Sequence, residues 1–125
     1  MKILWYPNYD EEGHGAAVKI FIRKELIKYK DLRFRVESFL KRLRVIPDIW
    51  ILFNSEQIAF VKDGLCEMRI PKQRRGGVVR VYFCFGKKEK DTIVLLDAEL
   101  KHETSPGRIG PAFRRMTDYI NSNKG

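Results

Sequence analysis

Residues 64–101 constrain the fold more than any other stretch. Their sequence, GLCEMRIPKQRRGGVVRVYFCFGKKEKDTIVLLDAELK, holds three short apolar runs separated by turn-forming residues. Each run has the length of a strand, and β-branched and aromatic residues are frequent in them. Leu65–Ile70, Val78–Phe85 and residues 92–100 are therefore predicted strands. Gly76-Gly77 and residues 86–91 supply the turns, which predicts an antiparallel meander. Residues 93–96 are continuously apolar, as suits a central strand covered on both faces. Alternation sends Cys66, Met68 and Ile70 to one face and Glu67 and Arg69 to the other. On the next strand Val79, Val81, Phe83 and Phe85 make the apolar face, with Arg80, Tyr82 and Cys84 opposite. In the simplest register Arg69 and Arg80 share the more polar face.

Both arginines stand mid-run, where packing alone favours Val or Thr. Cations on a sheet face cost stability unless an anion meets them. That anion is either internal (Glu67, Asp97 or Glu99) or an external polyanion. The loop between the two strands adds Lys72, Arg74 and Arg75 with no acid, so five cations gather at one end of the sheet. The net charge is +9, and residues 19–44 alone carry ten Lys or Arg against three acids. Such a concentrated basic segment favours nucleic acid or the ribosome as partner, with RNA the leading candidate.

Around this segment the pattern is mixed. Residues 2–6 read as an opening strand and residues 8–15 as an acidic loop. Residues 16–29 are predicted helical from Val18, Phe21, Ile22 and Leu26. In residues 31–43, Leu32, Val36, Phe39, Leu40 and Leu43 form one helical face, with Asp31 as N-cap, so a helical hairpin is expected. Pro47 ends it. Residues 50–53 are an apolar run of undecided type, and residues 54–63 read as a connector. Ser105 and Pro106 signal a helix start, and Ile109, Phe113, Met116 and Ile120 form its apolar stripe.

At 125 residues the expectation is one domain, 1–125, with a real core. Apolar content of 44% argues against disorder, and no apolar run nears the roughly 20 residues that span a bilayer. The opening MKILWYPNYDEE turns acidic too early for a secretory signal, so a cytoplasmic protein with no membrane partner is expected. Cys66 and Cys84 read as small buried hydrophobes rather than a disulfide or metal pair. Two Cys and two scattered His predict neither metal nor cofactor.

The order strand, two helices, three-stranded meander, C-terminal helix resembles the RelE/ParE toxin superfamily. The segment GLCEMRI, a basic loop, GGVVRVYF, then TIVLLDAELKHETSP and an amphipathic helix is similar to its HigB-like, phage-derived branch. The likeness covers residues 64–119, and only the helical hairpin fits before it. It implies a RelE-like α+β fold and a type II toxin held by a cognate antitoxin. It also implies a ribosome-dependent, metal-independent mRNA endoribonuclease, in which the RNA 2′-hydroxyl attacks the adjacent phosphate. Such chemistry needs cations to neutralise the pentacoordinate phosphate and groups that move protons. By this resemblance Arg69, Arg80, Lys101 and His102 are the catalytic candidates. Lys72, Arg74, Arg75 and Arg108 are the RNA-binding ones. Glu67 stands where RelE-type enzymes carry a second strand lysine, and Arg108 falls near their helix tyrosine. Two alternatives are a ParE-like inhibitor of DNA gyrase and a non-catalytic nucleic-acid-binding phage accessory protein.

Overall fold

The meander forms as the alternation requires. In the computed structural model, which describes residues 1–71, 78–89, 91–101 and 107–122, β3 (Leu65–Ile70), β4 (Val78–Phe85) and β5 (Thr92–Lys101) run antiparallel in that order. Two further strands extend them. β1 (Lys2–Trp5) pairs parallel with the first half of β5, and β2 (Ile58–Lys62) pairs antiparallel with β3. The result is one five-stranded mixed sheet, in the order β1-β5-β4-β3-β2.

The fifth strand corrects the expected connector at 54–63. Its signal was present in Asp63-Gly64. Both residues have positive φ, at 48° and 94°, as the two-residue turn joining β2 to β3 demands. Asp-Gly meets that demand because glycine carries no Cβ to clash there. What hid the strand is its edge position, where only Ile58 is fully buried and Phe60 is largely exposed.

Helices cover both faces. α1 (Ala17–Lys24), α2 (Lys30–Val45) and the short α3 (Trp50–Asn54) pack on one face, over Ile3, Trp5, Met68, Val81, Phe83, Ile93 and Leu95. α4 (Ile109–Asn121) packs on the other through Ala112, Met116 and Tyr119, against Leu4, Tyr82, Cys84, Val94 and Leu96. The 93–96 run is fully buried because adjacent residues serve different cores. The helical pair therefore sits on one side, but α1 ends at Lys24, before the expected 29. Asp31 is not the cap of α2. The helix begins one residue earlier, and Asp31 pairs with Arg35 one turn on, at 3.2 Å. Residues 50–53, undecided in sequence, are helical. Ser105 and Pro106, the expected helix start, lie outside the described residues, as does the Gly76-Gly77 turn.

Cys66 and Cys84 are free and buried, one in each core, so the sheet stands between them. Burial pushes both thiols up to about 12. No described helix is long and apolar enough to cross a membrane.

Candidate functional site

A one-residue irregularity places the polar groups. In the β4–β5 ladder Tyr82 faces Asp97 while Phe83 faces Leu95, which leaves Leu96 as an extra residue on β5. Such a bulge reverses the side-chain alternation beyond it. Before it, Ile93 and Leu95 point to the α1–α2 core; after it, Ala98 and Leu100 do. Asp97, Glu99 and Lys101 are thereby turned to the opposite face, beside Tyr82, Arg80 and Val78, their ladder partners. An uninterrupted strand would drive two carboxylates into the larger core.

On that face Arg69 and Arg80 are direct cross-strand partners. Glu67, two residues before Arg69 and almost fully buried, holds both. Its Oε1 accepts from Arg69 Nε at 3.0 Å, and its two oxygens accept from Arg80 Nη1 at 3.2 and 3.1 Å. The arginine side chains are 34% and 27% exposed, so each guanidinium keeps a path to solvent. Arg80 Nε is buried without a hydrogen-bond partner among the described residues.

A second network adjoins the first. Tyr82, fully buried, donates its hydroxyl to Glu99 Oε2 at 2.9 Å. The Arg108 backbone N–H also donates to that oxygen, while Glu99 Oε1 has no partner among the described residues. Burial, then the bond to the Glu99 carboxylate, raises the Tyr82 hydroxyl well above its ordinary value. Tyr82 therefore stays protonated at neutral pH and is a donor rather than a base. Asp97 Oδ1 accepts from the Ala98 N–H at 2.8 Å, and Oδ2 meets the guanidinium of Arg108 at 3.0 Å and that of Arg115 at 3.5 Å. Arg115 also donates to the Leu96 carbonyl at 2.9 Å, tying α4 to the bulge.

Of the sequence candidates, the sheet brings Arg69 and Arg80 together. It sets Lys101 on the same face, opposite Val78, and Arg108 beside Asp97 and Glu99. Lys72, Arg74, Arg75 and His102 lie outside the described residues. Reading the sequence missed Arg115, whose partner Asp97 is brought near only by the bulge. It also left undecided which carboxylate meets which arginine. A groove of about 720 Å³ lies beside the face, between Phe21, Lys24 and Tyr29 on one flank and Glu99, Arg108 and Arg115 on the other. The described residues contain no cluster of three or more His, Cys, Asp or Glu placed to hold a metal. The face can therefore present cations to an anion, with buried carboxylates fixing their positions.

No family model matches the chain, and no curated protein or solved structure matches it either.

Proposed function

We propose that the chain is the toxin of a type II toxin–antitoxin pair, and that it cuts mRNA on the ribosome without a metal. The observation that carries the proposal is the arrangement of Arg80 and Arg69, neighbours across two strands and both partly open to solvent. Arginine suits phosphate because its planar fork donates two parallel hydrogen bonds. Arg80 also holds a buried donor, Nε, that has no hydrogen-bond partner among the described residues. In the proposed reaction the RNA 2′-hydroxyl attacks the adjacent phosphorus. The bond to the 5′-oxygen breaks, leaving a 2′,3′-cyclic phosphate and a 5′-hydroxyl that takes up a proton. Arg69 and Arg80 stabilise charge that develops on the phosphate oxygens, and Glu67 holds them ready. Lys101, the last residue of β5, and His102, next in the sequence, are the candidates for moving protons. Tyr82 is excluded from that task by its buried bond to Glu99.

A second reading, a nucleic-acid-binding protein without chemistry, draws support from Glu67, which already meets both guanidinium groups in the free protein. Primer extension on mRNA in a translation extract tests the choice. New 3′ ends that depend on the protein and vanish with Arg80→Ala are expected. Intact mRNA with retained RNA binding would favour the second reading. Intact mRNA with gyrase-linked DNA damage in cells would favour a ParE-like inhibitor.

A further inference from the structure

A second basic site lies on the helical side of the sheet, across it from Arg69 and Arg80. Helical spacing builds it. Lys19 and Arg23 are one turn apart on α1, while Arg33, Glu37, Lys41 and Arg44 form one row along α2. Buried Ile22 and Leu40 anchor the two helices on the core, leaving a groove of about 310 Å³ between the rows. Five cations line it, and Glu37 is the one acid among its described lining residues. Glu37 is taken by Arg33, at 2.8 Å. Like charges a turn apart on a helix, and facing rows of them, are unfavourable without counter-charge.

The wall of this groove holds an independent signal. Trp5, 3% exposed, lines it, and its indole Nε1–H is buried with no hydrogen-bond partner among the described residues. Buried donors in native proteins are nearly always paired, so an orphan points to a missing acceptor. The indole is fixed in place. Lys19 Nζ lies 5.2 Å over its ring, and Gly13, with φ +81°, packs so close that a Cβ there would come within 2.9 Å of the ring.

We infer that the groove between α1 and α2 binds successive phosphates of a single-stranded RNA, with Trp5 Nε1–H as a donor in its wall. Five cations against one acid exceed the charge of a lone phosphate, so a chain of phosphates is the better match than an isolated anion. The choice of RNA rests on the proposed function, whereas phosphate binding itself does not. The site is separate from the Arg69–Arg80 face, and would hold a length of RNA that the cutting face does not touch.

The test uses the full chain labelled with ¹⁵N. Its two tryptophans give two indole N–H signals, and Trp50→Phe assigns them. Inorganic phosphate and a short single-stranded RNA are titrated at constant ionic strength. Expected is an RNA-dependent shift of the Trp5 signal. In parallel, the paired variants Lys19→Gln/Arg23→Gln and Lys41→Gln/Arg44→Gln alter exposed residues, and circular dichroism checks their fold. Each pair should lower the slope of log affinity against log salt by about 1.4, from about 0.7 per phosphate contact on single strands. An unmoved Trp5 signal with an unchanged slope overturns the inference. A shift by phosphate alone, with the RNA slope unchanged, overturns it in favour of a small-anion site. Neither readout involves bond breaking, so a failure of the nuclease reading would leave both intact. Failure of the groove would leave RNA binding sensitive only to Arg69→Ala and Arg80→Ala.

Discussion

Arg69 and Arg80 face each other across β3 and β4, and both guanidinium groups close on one buried carboxylate, that of Glu67. Like charges directly opposite in a sheet repel. Glu67 turns the pair into a clamp, in which two cations are held side by side and half available. The same carboxylate that makes the pair tolerable also competes with any incoming phosphate.

Replacing that carboxylate should therefore separate stability from binding. Glu67→Gln is expected to lower stability by about 1.5–3 kcal/mol, the usual range for hydrogen bonds to charged groups. The same change removes a negative charge beside the two arginines and should tighten RNA binding at low salt. Urea unfolding and an RNA filter assay check the two effects. Looser binding would mean that Glu67 chiefly orients the arginines.

Arg80→Ala combined with His102→Ala should abolish growth arrest and mRNA shortening when the chain is expressed alone. Losing one cation that stabilises the transition state commonly costs 10²–10³ in rate, about 2.7–4 kcal/mol. Loss of an acid or base adds roughly 10²–10⁴. Growth curves and mRNA length measure it, and persistent toxicity of the double variant would remove both residues from the reaction.

The Tyr82–Glu99 bond should make the protein sensitive to alkali. Tyrosine in an unfolded chain ionises near 10.0, and the folded value is raised by burial and by Glu99. The native state thus keeps a proton that the unfolded state releases. This stability is complete below about pH 10 and declines as pH rises toward the folded value. Tyr82→Phe should cost about 1–3 kcal/mol at neutral pH, because Glu99 loses a donor, and should flatten the alkaline decline. Thermal unfolding between pH 8 and 11 shows both.

Deleting Leu96 should leave the fold intact but less stable. The deletion removes the extra residue, so Asp97 follows Leu95 directly and Asp97, Glu99 and Lys101 keep to the α4 face by plain alternation. What is lost is the Leu96 side chain from the α4 core, at a cost of about 2–5 kcal/mol. Urea unfolding measures that loss, with a native circular-dichroism spectrum retained. Loss of the folded spectrum would show that the bulge itself is required.

Both thiols should be silent in the native protein. Burial holds them near 12, far above the pH of ordinary labelling, and the thiolate is the reactive form. An aromatic disulfide reagent at pH 8 should label neither cysteine until guanidinium is added. Rapid labelling of one would reveal local opening around its core.

Local periodicity determined much of this protein. The alternation of β3 and β4, the buried 93–96 run and the apolar face of α2 follow from side-chain period alone, because each element must bury one face or both. That logic also put Arg69 and Arg80 together, since strands joined by a short loop pair antiparallel and their phase is set by the apolar residues. It could not reveal β1 beside β5, a contact between distant parts of the chain. Nor could it weigh β2, an edge strand with one wet face whose Asp63-Gly64 turn was its clearest mark. The charge partners were decided by tertiary structure. Strict alternation assigns Asp97 and Glu99 to the wrong face; the bulge at Leu96 reverses them, and only then do Tyr82, Arg108 and Arg115 find their carboxylates. A bulge arises where the pairing of two strands and the packing of both faces conflict. It is a compromise among distant residues, which the local order of amino acids in β5 does not encode.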